Sequence, residues 1–208
     1  MKKMKIAVIG GTGTIGSGIV ELLRKEHDVI SIGRKSGDYQ VDLLDTNGIK
    51  KMFNEIQGID GIISTVGDGS MGSLKELELE AFHYSLNSKV IANVNLIKEA
   101  ISHLKPEGFV IVTSGLASTY PIPNASALAV ACAALEAFVR CITVEDTNGV
   151  NINVVSPGYV KETMESMGMD STEGISVAEI ATIYKDMIDK KVNGMIAKVP
   201  EYLASTSI

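Results

Sequence analysis

The chain has 208 residues, of which 45% are hydrophobic and 21% charged, and its formal net charge is −6. That length buries a core without metals or disulfides, and the composition is globular rather than disordered or fibrous. The acidic balance argues against a nucleic-acid or anionic-membrane surface, so any phosphate recognition has to come from a local site.

In chain order, apolar strand-like runs alternate with helical patterns. Met4–Ile9 reads as a buried strand that breaks into Gly10-Gly11-Thr12-Gly13-Thr14-Ile15-Gly16. Ile15, Ile19, Leu22 and Leu23 then recur at helical spacing, giving a helix to about Glu26. Strand, glycine turn and helix in this order suit a dinucleotide. Glycines let the backbone turn sharply and approach a diphosphate, and N–H groups at the helix start face the anion. Asp28–Ile32 is the second strand, Tyr39–Val41 a short edge strand and Thr46–Ile56 a helix. Ile59–Ser64 is the fourth strand, followed by two helical stretches across Leu74–Leu104. Phe109–Thr113 is the fifth strand, Asn124–Glu145 a long alanine-rich helix and Ile152–Val155 the sixth strand. Ser176–Asp189 reads as helix and Gly194–Val199 as a last short strand. Strict β-α alternation predicts an α/β Rossmann-type fold, a doubly wound parallel sheet of about seven strands with helices on both faces. No repeat, linker or low-complexity tract breaks the pattern, so residues 1–208 are expected to form one dinucleotide-binding domain.

Cys132 and Cys141 fall nine residues apart in the long helix, about 13 Å along its axis, too far to bridge. They read as buried reduced thiols of a cytoplasmic protein. The opening residues do not resemble a signal peptide. Between Glu107 and Glu136 no residue is charged, but Pro121, Pro123 and Asn124 interrupt the stretch and argue against a membrane span. His27, His83 and His103 form no metal-type pair in sequence.

The glycine loop falls in order with Gly33-Arg34 after the second strand, Val41-Asp42-Leu43 after the third and Ser156-Pro157-Gly158 after the sixth. With these motifs the chain resembles the short-chain dehydrogenase/reductase (SDR) family over nearly its whole length. The spacing of Gly10, Gly13 and Gly16 is more like the extended and atypical branches. The length and the Ser156-Pro157-Gly158 segment are more like the commonest branch. The resemblance implies a cofactor bed of Gly10, Thr12, Gly13, Thr14, Ile15, Gly16, Arg34, Lys35, Asp42, Leu43, Thr65, Val66, Gly67, Pro157 and Gly158. NAD-specific members carry a carboxylate at the end of the second strand, whereas this chain has Arg34 and Lys35 there. A guanidinium forks onto a phosphate, so NADP(H) is expected over NAD(H). Asp42 borders the adenine by resemblance, or forms a turn.

The family's Asn-Asn-Ala-Gly after the fourth strand is here Ser64-Thr65-Val66-Gly67. Asn87 takes the place of a helix asparagine that holds a relay water, and Lys89 follows in the usual register. The resemblance calls for a tyrosine and, four residues later, a lysine on the long helix; the tyrosine exchanges the proton and the lysine lowers its pKa and binds the nicotinamide ribose. Those places fall at Leu128 and Cys132, so the usual Tyr-x-x-x-Lys pair is expected to be missing. The serine that orients a substrate carbonyl falls at Ser114 or Gly115. Tyr120 and Tyr159 are the phenols near the pocket mouth, with Ser114, Asn87 and Tyr120 the candidate catalytic residues. The threonine that holds the carboxamide would fall at Glu162, with Thr163 one step late.

Three functions follow. The first is an NADP(H)-dependent oxidoreductase acting on a small carbonyl or alcohol, with Met164–Gly174 as a substrate lid. The second is a catalytically inactive NADPH sensor or regulator, favoured by the missing pair. The third, a fold retained for protein contacts, would need neither Arg34 nor an intact glycine loop. A homodimer or homotetramer through the helices near Tyr84–Leu104 and Asn124–Glu145 is the expected assembly, with no nucleic acid or membrane partner.

Overall fold

The computed structural model describes residues 2–206. Seven strands form one sheet: β1 (Lys5–Ile9), β2 (Asp28–Gly33), β3 (Tyr39–Gln40), β4 (Gly61–Ser64), β5 (Phe109–Thr113), β6 (Asn151–Ser156) and β7 (Ile196–Lys198). They lie in the order β3-β2-β1-β4-β5-β6-β7, and every pairing is parallel. This is the Rossmann-type α/β fold expected from the alternation.

The central strands are buried on both faces, which explains why they read as continuous apolar runs rather than as alternating ones. In β1, Ile6 and Val8 face one layer, and Ala7 and Ile9 face the other. The first layer holds α1 (Thr14–Leu23), α7 (Val177–Lys190) and α8 (Val199–Thr206); the second holds α2 (Thr46–Glu55), α4 (Ala92–His103) and α5 (Ser126–Ile142). Two more helices, α3 (Leu79–Ser85) and α6 (Lys161–Ser166), sit at the strand C-terminal ends beside the crevice. Chain direction reverses its walk across the sheet after β3, so the crevice between β1 and β4 is the topological switch point where such sheets take ligands.

Several boundaries differ from the sequence reading. Residues 74–78 stay outside helix, and Leu86–Ile91 form a π-helical segment that joins α3 to α4 in one rod. Helices α6 and α8 were not anticipated, because each is too short to show a helical period. Met164 is buried within α6, so the expected lid from Met164 to Gly174 is partly helix. Cys132 is buried as expected, but Cys141 is exposed, since it lies on the outer face of α5. Among the described residues no helix is long and apolar enough to cross a membrane.

Several polar groups inside this core are tied down, while His27 Nε2, Ser64 Oγ, Asn93 Oδ1 and Ser126 Oγ are buried without a partner among the described residues. The Thr113 hydroxyl donates to Ser64 O at 2.8 Å and shares a 2.7 Å hydrogen bond with the fully buried Tyr184 hydroxyl. Burial holds the Tyr184 phenol far above its ordinary range. Glu136 on α5 accepts from Ser156 Oγ at 2.6 Å and Ser118 Oγ at 2.7 Å, pinning the end of β6 and the turn after β5 to that helix. Tyr184→Phe keeps the packing and loses one buried hydrogen bond, so it should cost about 1 kcal/mol, whereas Tyr184→Ala should cost about 3–5 kcal/mol through the cavity. Urea unfolding, read as a lower midpoint at unchanged slope, checks both.

Candidate functional site

The end of β1 and the first turn of α1 come together more closely than any side chain would permit. Gly10 has φ +81°, and a Cβ on Gly16 would lie 2.1 Å from Gly10 O. Gly13 N donates to Gly10 O at 2.9 Å, and Gly10 N donates to Ile32 O at 2.7 Å. No side chain caps α1. The first N–H groups of a helix have no intrahelical partner and carry the positive end of its dipole, so this turn offers donors to an anion.

A cleft of about 940 Å3 opens beside that turn. Gly10, Thr12, Gly13, Thr14 and Ile15 line it along α1, and Gly33, Arg34, Asp42, Leu43 and Leu44 line it beyond β2 and β3. Thr65, Val66, Gly67 and Asp68 follow from β4, then Tyr84, Asn87, Ser88 and Ala92 from the helical rod, and Thr163 from α6. Eleven of the fifteen residues expected in the cofactor bed therefore share one cleft. Gly16 does not face it; its part is the close approach. Lys35 is exposed and does not line the cleft, and its carbonyl accepts from Gln40 Nε2 at 3.3 Å. Pro157 and Gly158 are also outside, because the turn at Leu116 covers them: Leu116 N donates to Pro157 O, and a Cβ on Gly158 would meet Leu116 Cδ1 at 2.8 Å.

At the β2 end, Arg34 is exposed and has no carboxylate partner among the described residues. The neighbouring Asp38 is already engaged, accepting from Arg24 at 2.8 Å and from Ser31 N at 2.9 Å. Asp42 accepts from Leu44 N at 2.9 Å, so its turn role is real while its backbone borders the cleft.

Beyond β4 the cleft is lined by the helical rod, and α5 lies behind that lining. Ser114 is buried, and its hydroxyl donates to Cys132 O at 3.1 Å. Asn87 is exposed to the cleft from the π-helical segment, and its carbonyl accepts from Ala92 N. Tyr120 is not part of this cleft: its hydroxyl donates to Glu201 on α8, which pushes the phenol pKa up, and Lys198 sits over its ring at 5.6 Å. Tyr159 is exposed and likewise outside it. Thr163 faces the cleft, whereas Glu162 is turned away to accept from Val177 N at 2.9 and 3.0 Å, fixing the start of α7.

Two features were missed from sequence. Tyr84 donates to Asp68 at 3.1 Å across the cleft wall, and the Asp68 carboxylate raises its pKa. Lys89 is buried, only 4% exposed, and its ammonium reaches Ser114 O at 3.5 Å. Desolvation pushes the Lys89 pKa down, against the pull of Cys132 and Asp68. Burial raises the Cys132 thiol pKa in turn, partly offset by Lys89. Gly69 runs directly over α5, where its Cβ would lie 2.6 Å from Leu128 Cδ1 and 3.1 Å from Leu128 Cα.

A family model described as enoyl-(acyl carrier protein) reductase matches residues 20–206. The chain belongs to the short-chain dehydrogenase/reductase family. It is 28% identical to the hydroxynaphthalene reductase arp2 of Aspergillus fumigatus, across 97% of this chain and 86% of that one. Among solved structures it resembles the protein lin1944 of Listeria innocua, 31% identical with a TM-score of 0.87 over 93% of this chain and 98% of that chain. It also shares its fold with a small-chain dehydrogenase crystallised with NADPH, 24% identical with a TM-score of 0.82, covering 94% of this chain and 96% of that one.

Gly16→Ala tests the close approach. The added methyl meets a backbone oxygen that cannot rotate away, so the loop must shift, at about 1–3 kcal/mol by the usual cost of overpacking. Thermal unfolding should show the loss, and because Gly16 sits within α1 and is not among the positive-φ glycines, the loss reports crowding against Gly10 O rather than backbone strain.

Proposed function

We propose that this SDR is an NADP(H)-dependent oxidoreductase acting on a small carbonyl or alcohol, with a non-standard active site. The observation that carries the reading is Arg34, exposed and without a carboxylate partner among the described residues, in the same cleft as the open helix start of α1. A guanidinium there suits a phosphate on the adenosine ribose, and no carboxylate at the end of β2 is placed to accept from a free ribose hydroxyl pair. Lys35 adds only long-range charge to this preference. The residues fit a dinucleotide: Gly10 and Gly13 admit the diphosphate, Asp42 and Leu43 flank the adenine, and Thr65, Val66, Gly67 and Thr163 wall the nicotinamide half. The dinucleotide, when bound, would supply the hydride; the chain's work is to hold it and manage a proton.

On this reading Leu128 and Cys132 stand at the tyrosine and lysine places of the family, and neither can exchange a proton with a carbonyl. Ser114 and Asn87 remain as candidates for orienting substrate and water. Ser114 is already bonded to the α5 backbone, and this favours the second reading, a cofactor-binding regulator without turnover. The missing acid would cost a catalytic protein roughly 10²–10⁴-fold in rate.

Thermal shift with NADPH, NADH and neither separates the cases. At about 100 times the dissociation constant, binding to the folded state adds about 2.7 kcal/mol, or roughly 5–10 °C for a chain of this size. NADPH should give that shift and NADH a smaller one, and Arg34→Asp should reverse the order. No shift with either would remove both readings.

The same reading has copies of the chain paired through α4 and α5. Ile91 and Val130 are exposed on that side, at 44% and 46%. Light scattering should give a dimer or tetramer mass, and Val130→Glu should lower it.

A further inference from the structure

The Lys89 ammonium is buried, yet it is not paired. It has three N–H donors, and its hydrogen bond among the described residues is to Ser114 O, at the 3.5 Å limit of such a bond. The charges and titratable groups that face it are few. Cys132 from α5 is a thiol whose pKa is raised by burial. Asp68, from the loop after β4, makes no ion pair with it and is already accepting from Tyr84 and from Gly69 N. On its own helix, Asn93 binds the Lys89 carbonyl at 2.7 Å and leaves the ammonium free. A buried cation with unfilled donors costs several kcal/mol unless something supplies acceptors.

The side from which acceptors can come is set by its neighbours. Gly67, a cleft residue at φ +134°, lies against the Lys89 stem, so that a Cβ there would be 3.0 Å from Lys89 Cγ. Asn87 and Ser88 of the same π-helical segment line the cleft. The ammonium therefore lies just behind the cleft wall, between the ends of β4 and β5, which is the half of a switch-point crevice beyond the diphosphate turn.

We propose that Lys89 is the cation of this site, its ammonium donating to oxygens on the nicotinamide-side ribose of the bound dinucleotide. The proposal rests on the dinucleotide reading above. It places the binding cation on the π-helical segment rather than on α5, where Cys132 stands.

Two measurements on the intact chain test it. The first is NADPH affinity by calorimetry. Lys89→Met should weaken binding at least about tenfold, the loss of one hydrogen bond from a charged donor, and adding Cys132→Lys to that variant should restore part of it. The second is the Nζ resonance of Lys89 in ¹⁵N-lysine-labelled protein, assigned by its loss in Lys89→Arg. It should move on saturation with NADPH, and this reading survives even if Lys89→Met does not fold. A Lys89→Met protein that binds NADPH within about twofold of wild type, or a resonance that NADPH leaves in place, overturns the proposal. In that case wild-type binding keeps the dinucleotide reading. Wild-type protein that binds neither NADPH nor NADH overturns both.

Discussion

Gly10 O and the first turn of α1 occupy almost the same space, and the rest of the crevice is arranged around that approach. Because Gly16 has no Cβ, α1 can start directly against the end of β1, and its free N–H groups are delivered to the switch point rather than one turn away. The turn is further braced from β4, where Thr65 Oγ1 donates to Ile9 O and Gly10 O at 3.2 Å. On the other flank Ser36 Oγ donates to Thr12 Oγ1 at 3.1 Å, which ties the glycine turn to the loop that carries Arg34. Phosphate-side geometry and the Arg34 end are thus set by one connected piece of backbone, and a disturbance at Gly16 is felt along both.

The opposite end of the cleft obeys a different constraint. Behind its lining, buried polar groups link elements distant in sequence: Glu136 to Ser118 and Ser156, Thr113 to Ser64 and Tyr184, Ser114 to Cys132. These bonds tie the end of β6 and the turn after β5 to α5, and the end of β5 to β4 and α7. The cost of burying them is offset because the Thr113, Ser114, Ser118, Ser156 and Tyr184 hydroxyls and the Glu136 carboxylate find partners inside, although Ser64 Oγ does not among the described residues. Glycine flexibility governs one half of the site, and buried polar networks govern the other.

What was legible from sequence divides along the same line. The glycine turn, β1, β5, Arg34 and the succession of strands along the chain follow from short-range patterns that survive folding, since buried parallel strands are apolar throughout. The side of the cleft beyond β4 is less legible because it depends on phase. The i→i+5 bonding at Leu86–Ile91 inserts a residue into the helical repeat and turns Lys89 into the interior, which no regular helical period anticipates. Thr163 and Glu162 exchange expected roles for a similar reason: the unforeseen turn of α6 points one into the cleft and the other at the start of α7. Tyr120 reads from sequence as a pocket phenol because the short α8 leaves no period to find, and in the fold Glu201 of that helix accepts its hydroxyl.

Lys89 and Cys132 are best understood together. A lysine at both places would bring two ammonium groups into one desolvated space. At about 4 Å and an effective dielectric near 20 they would repel by about 4 kcal/mol, before the cost of removing a second charge from water is counted. A thiol at Cys132 relieves that repulsion and is small enough for Gly115, whose Cβ would lie 3.2 Å from Cys132 Sγ, to pack against it. The loop over α5 follows the same logic, because Gly69 lies so close to Leu128 Cα that this face of the helix is closed by backbone rather than left open to solvent. The half-buried Leu128 and buried Cys132 of α5 and the inward turn of Lys89 therefore belong to one packing arrangement, in which a thiol rather than a second cation faces the buried ammonium.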